Sequence, residues 1–78
     1  MRHELKILPE YYEAIAWGEK SFELRKDDRG YKCGDTLLLR EWDGKEFTDK
    51  PPLERRIRYI LRDCPEYGLM DGYCILSF

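Results

Sequence analysis

Hydrophobic and polar positions alternate over His3 to Leu8, with His3, Leu5 and Ile7 on one side and Glu4, Lys6 and Leu8 on the other, which predicts a short strand. Pro9 ends it and opens a helix, because a proline's missing N–H costs nothing in the first helical turn. Leu8, Tyr11, Tyr12, Ile15 and Ala16 recur at helical spacing, and Gly18 supplies the left-handed residue that stops the helix. The expected element is an amphipathic helix over PEYYEAIAWG. Alternation then returns: Phe22 and Leu24 share one face of a second strand, anchoring it, while Ser21, Glu23 and Arg25 share the other. From Lys26 to Asp35 the pattern dissolves into a polar loop with glycines on both sides of Tyr31-Lys32-Cys33.

Thr36 to Trp42 is the clearest strand, and Asp43-Gly44 is a two-residue hairpin signal leading into Lys45 to Thr48. Lys50-Pro51-Pro52 interrupts pairing before one long strand, Leu53 to Arg62, in which Ile57, Tyr59 and Leu61 face one way and Arg56, Arg58, Ile60 and Arg62 the other. Cys64 to Gly68 reads as a loop, Asp71-Gly72 as a turn, and Tyr73 to Phe78 as a final strand. The expected fold class is α+β, mainly β: a small curled antiparallel sheet or barrel of about five to six strands, with one N-terminal helix closing an end. Trp17 and Tyr59 are expected in the core.

With 78 residues, the chain has room for a single domain. Its 42% hydrophobic and 38% charged residues describe a globular protein with a highly charged surface. Fourteen Lys and Arg against sixteen Asp and Glu give a net charge of -2, so any site for a polyanion has to be local. Arg55, Arg56, Arg58 and Arg62 form the one basic cluster, three of them on one strand face, with Glu41 and Glu54 as the acidic side chains that would otherwise absorb them. The three cysteines, Cys33, Cys64 and Cys74, lack zinc-site spacing, so no metal or other cofactor is expected. A reducing, cytoplasmic setting is the simple reading, and no apolar run is long enough to cross a membrane.

The common hydrolase, kinase and dehydrogenase motifs are absent, and the lone His3 reads as structural or surface. Lys20, Glu23 and Arg25 carry more chemistry. Glu23 and Arg25 share a strand face, and Lys20 enters from the helix stop, giving donors and an acceptor able to hold a phosphate or read a base edge. An exposed ion pair is the bland alternative, worth about 0 to 1 kcal/mol. Tyr31, Trp42 and Tyr67 are the candidates for exposed aromatics on which bases stack.

The helix ending at Gly18, the Gly-x-Lys-x-x-Glu-x-Arg spacing of GEKSFELR, the loop closing on Gly34-Asp35 and the strand TLLLREW together resemble the ASCH domain family of the PUA-like fold. HELKILPEYYEAIAWGEKSFELRKDDR, GDTLLLREWD, YIL and GYCILSF narrow the resemblance to a small branch found in phages and bacteria, over nearly the whole chain. It implies a β-barrel with a helix beside a cleft lined by Lys20, Glu23 and Arg25, binding RNA or a nucleotide-like ligand. One relative in the wider family is an amidohydrolase acting on acetylated cytidine, whose pattern uses a Lys, a Thr three residues later and a Glu from a later segment. Lys20 matches, but Glu23 stands at the Thr position and Glu66 is only a loose stand-in for the Glu. A carboxylate in place of the hydroxyl changes the mechanism, so that activity does not transfer intact.

The leading expectation is therefore a non-catalytic module in which Lys20, Glu23, Arg25, Tyr31, Arg56 and Arg58 contact RNA or a nucleotide-like small molecule. A hydrolase of acylated nucleosides, with Lys20 and Glu23 as its reacting pair, is the alternative enzyme class. A phage-type protein that binds a host protein through the charged loop is a third.

Overall fold

The strand expected over Leu53 to Arg62 is instead two strands in different sheets, and this break organises the fold. The computed structural model describes residues 1–78. It contains β1 (Arg2–Ile7), helix α1 (Pro9–Ala16), β2 (Phe22–Lys26), β3 (Thr36–Glu41), β4 (Leu53–Arg56), β5 (Tyr59–Leu61), a 3₁₀ turn (Pro65–Tyr67) and β6 (Tyr73–Ser77). One sheet has the order β1-β3-β4 and the other β2-β6-β5. The fold is α+β and mainly β, with one helix and six strands, as the residue pattern predicts.

At Ile57 the chain passes between the sheets. Its N–H donates to the Asp35 carbonyl and its own carbonyl accepts from Gly34, both at 2.8 Å, while the next N–H, that of Arg58, donates to Ser77 on β6. Gly34 takes φ +94 there, a left-handed conformation that glycine adopts without Cβ strain. The corner also shifts the alternation by one residue. Ile57 is buried, but beyond it Ile60 turns inward, and Tyr59, 62% exposed, and Leu61 turn out. The expectation of Tyr59 in the core fails for this reason.

The two sheets curl toward each other without closing into a barrel. They are joined at the β4–β5 corner, whereas β1 and β2, the edge strands on the other side, do not pair. The pattern anticipated mostly antiparallel pairing; β1 runs parallel to β3, with Leu5 beside Leu39, and the remaining ladders are antiparallel. Leu5, Ile7, Leu37, Leu39, Ile57, Cys74 and Leu76 meet between the sheets, and Tyr12 and Ile15 of α1 cap that core.

The helix ends as expected. Gly18 adopts φ +78, and the N–H groups of Gly18, Glu19 and Lys20 bond back to the carbonyls of Ile15 and Ala14. Trp17, expected inside, lies at the helix end with 76% exposure, its indole N–H 3.3 Å from Glu13. The Asp43-Gly44 turn is wider than two residues, because the Asp43 carboxylate accepts from the N–H groups of Lys45 and Glu46. Its second arm shrinks to one bridge between Trp42 and Phe47. All three cysteines are free.

Candidate functional site

The seam between β1 and β2 leaves backbone groups of β1 without a neighbouring strand. Two arginines fill part of that gap: Arg25 donates to the Lys6 carbonyl at 3.0 Å and Arg29 to the Glu4 carbonyl at 2.8 Å. A carbonyl facing a seam needs such a partner or water. Beside these bonds, between β1, β2 and the start of α1, lies a cleft of about 490 Å³ bordered by Tyr11, Lys20, Phe22, Glu23 and Arg25.

The faces of β2 are the reverse of what hydrophobicity predicts. Phe22 and Leu24 are 44% and 56% exposed, while Glu23 is 4% exposed and points into the space between the sheets. Its carboxylate is held at both oxygens: Lys20 donates to Oε1, and the Arg25 guanidinium lies 3.6 Å from Oε2. A buried carboxylate persists only with such partners, and removing one member of a buried pair costs about 3 to 5 kcal/mol. The turn after Gly18 brings Lys20 to it, and the Lys20 ammonium also lies 4.8 Å from the Tyr11 ring centre and 4.9 Å from that of Phe22. One lysine thus sits among two aromatic faces and a carboxylate.

A smaller concavity of about 280 Å³ shares Lys6 and Arg25 with the cleft and extends it toward Arg29 and Phe47. Lys6 lies 4.8 Å from the centre of the Trp42 ring, which is half-buried beneath it.

Of the residues expected at the site, Lys20, Glu23 and Arg25 converge and the others do not. Tyr31 is a correction: only 3% exposed, it packs edge-on against His3 with ring centres 4.7 Å apart, so its face is closed to a base. Burial raises its phenol pKa. Arg56 and Arg58 are exposed and make no side-chain ion pair, but they border a separate concavity with Cys33 and Gly34 that shares no residue with the cleft. Arg56 pairs in register with Thr36, which pairs on its other side with Arg2, at the opposite end of the sheet from Lys6 and Ile7. Arg62 is taken up by Asp27, at 2.7 and 3.2 Å, a pairing that raises its pKa. Arg55 turns inward and donates to the Ile15 carbonyl at the end of α1, a favourable place for a cation. Glu66 lies exposed on the 3₁₀ turn and Tyr67 is exposed beside it; neither borders the cleft.

Two buried carboxylates escaped the sequence reading. Asp35 accepts from His3 at 2.8 Å, from the amino group of Met1 at 3.0 Å and from the Lys32 N–H, and these bonds, His3 foremost, hold its pKa down to about 2. Glu41 accepts from the Thr48 hydroxyl at 2.8 Å and lies 3.3 Å from the Lys50 ammonium. The inward alternation of His3 was the available signal for the first, and the alternation of Glu41 with Leu37 and Leu39 along β3 was the signal for the second. Through Asp27, Arg29, Tyr31 and Asp35, the polar loop is tied to the body of the domain.

The family described as Domain of unknown function (DUF3850) matches residues 2–78. The chain belongs to this family. A protein of Escherichia phage P2, described as an uncharacterized 12.9 kDa protein in the GpA 3′ region, is 44% identical over 55 residues. That match takes in 70% of this DUF3850 chain and 50% of the phage protein, so the chain spans about half the length of its curated relative. No helix is long and apolar enough to cross a membrane.

Proposed function

We propose that this DUF3850 domain is an ASCH-like, PUA-like module that binds RNA or a nucleotide-like ligand in the cleft between β1 and β2, without chemistry on it. The supporting observation is the convergence of Lys20, Glu23 and Arg25 at one border of an open cleft flanked by Tyr11 and Phe22. Together the three carry one net positive charge, suited to a phosphate, and the aromatic side chains offer apolar faces to a base. Lys20 uses one of its three N–H donors on Glu23, and Arg25 uses Nη1 on Lys6, which leaves other donors on both for a ligand. Glu23, engaged at both oxygens, is an anchor that aims the two cations. Arg56 and Arg58 extend the footprint of a longer RNA as a second phosphate contact at the other end of the domain.

Titration of the protein with short single-stranded RNA and with nucleoside monophosphates at low salt tests the reading. Binding that weakens with salt and with Arg25→Ala or Lys20→Ala is expected. Absence of binding by the wild-type protein across a panel of RNAs and nucleotides overturns it.

A further inference from the structure

The cleft continues past Arg25. With the smaller concavity beyond, which shares Lys6 and Arg25 with it, the cleft follows β1 from Leu8 back to Glu4, a path of about 13 Å at about 3.3 Å per residue. Arg25, reaching over to the Lys6 carbonyl, forms the saddle between the two basins. Each basin has an exposed aromatic side chain: Tyr11 and Phe22 beside Lys20 in the first, and Phe47 in the second, with the Arg40 guanidinium stacked 3.7 Å from its ring centre. Positive charge runs the same length. Lys6 rests its ammonium on the Trp42 ring and Arg29 uses one N–H on the Glu4 carbonyl, so no carboxylate cancels either charge. Glu4, the one acid bordering the second basin, is taken up by Arg40 at 2.8 Å.

We infer that the ligand of this cleft is a single strand of RNA at least two nucleotides long, one nucleotide at Lys20 and the next across the saddle at Arg29 and Phe47, and not a mononucleotide. The inference rests on the nucleic-acid reading of the cleft and narrows it to one ligand class. A mononucleotide brings one phosphate, which Lys20 and Arg25 suffice to hold, and it leaves Lys6, Arg29 and the second aromatic wall facing water. A second phosphate, one nucleotide further along the strand, meets Lys6 and Arg29. Both cations are already held in place, one by the Trp42 ring and the other by the Glu4 carbonyl, so little side-chain freedom is lost when they bind. The aromatic walls select a single strand, because a duplex keeps its base faces stacked on one another and only unpaired bases can turn theirs to a protein side chain.

Titration calorimetry with the four nucleoside 5′-monophosphates and with the matching 5′-phosphorylated dinucleotides pApA, pCpC, pGpG and pUpU, at several salt concentrations, tests the length of the site. A dinucleotide is expected to bind about tenfold or more tightly than its monophosphate, with a logarithmic salt dependence steeper by about 0.7 for the added phosphate contact. Arg29→Gln and Phe47→Ala should each shrink that ratio about fivefold. A merely structural loss would weaken both ligands alike and leave the ratio as it was, and circular dichroism checks that each variant is folded. Equal affinity for every dinucleotide and its monophosphate overturns the inference while leaving the cleft a nucleotide site, as does a ratio indifferent to both substitutions. Binding of none of the eight ligands overturns it together with the reading on which it rests.

Discussion

Arg25 reaches from β2 to the main-chain oxygen of Lys6 on β1, at 3.0 Å, while the same guanidinium stands 3.6 Å from the Glu23 carboxylate. One side chain thus spans the seam where the two sheets do not pair and borders the cleft that the seam leaves open. Arg25→Lys retains the charge but cannot keep both contacts in the fixed fork of a guanidinium. We expect it to lose most RNA or nucleotide affinity and to speed amide hydrogen exchange in β2, with β3 unaffected; exchange mass spectrometry and titration measure the two effects separately.

Replacing Lys20 by Met removes one partner of a buried carboxylate but keeps much of the side chain's bulk. Arg25 still faces Glu23, so the expected loss is about 1 to 3 kcal/mol, at the scale of a deprived buried acceptor. Glu23→Gln, which can still accept from Lys20, should cost less. Chemical denaturation of both variants checks the order.

Asp35 makes part of the domain's stability dependent on acid. Its folded pKa of about 2 lies below the ordinary 3.8, so the unfolded chain takes up its proton first as pH falls. The contribution is complete above about pH 4 and is lost as pH falls toward 2. Asp35→Asn should be less stable at neutral pH and show a flatter decline over that interval, read from thermal melts at stepped pH.

The cysteines report on folding directly. Cys33 is exposed, Cys64 and Cys74 are buried, and burial pushes the Cys74 thiol up to about 11. In the folded protein at neutral pH a thiol reagent should label Cys33 rapidly and the other two only on unfolding, because the thiolate is the reactive form. Equal labelling rates for all three would contradict the packing.

Ile57 is the hinge of the two sheets and is buried at the point where the chain changes partners. Ile57→Ala should cost about 2 to 5 kcal/mol, the range for emptying a fully packed site. A fall in denaturation midpoint without a change in slope would show that the two sheets still unfold together.

The helix, its stop at Gly18 and the strands other than the broken stretch Leu53 to Arg62 and the arm Lys45 to Thr48 were legible in sequence because they follow from local causes: alternation of two, a proline that opens a helix, and a glycine that ends one. The trio Lys20, Glu23 and Arg25 was legible for the same reason, as its spacing places all three beside one strand. Which face of that strand turns inward was not. Hydrophobicity assigns Phe22 and Leu24 to the core, but Lys20 and Arg25, close to it in the chain, make burial of Glu23 tolerable, and the apolar pair is left outside.

Tyr31, Tyr59 and Trp17 went astray through the same limit. Each is an aromatic whose surroundings are supplied by distant segments: His3 encloses Tyr31, the corner at Ile57 turns Tyr59 outward, and no element covers the helix end at Trp17. By itself, then, the sequence determined most of the elements, the α+β class and the grouping of Lys20, Glu23 and Arg25, all of which depend on neighbours a few positions apart. Tertiary structure alone decided the parallel pairing of β1 with β3, the sheet change at Ile57, the open seam and the separation of Arg56 and Arg58 from the cleft. Those depend on contacts between residues far apart in the chain, whose free energies no local pattern encodes.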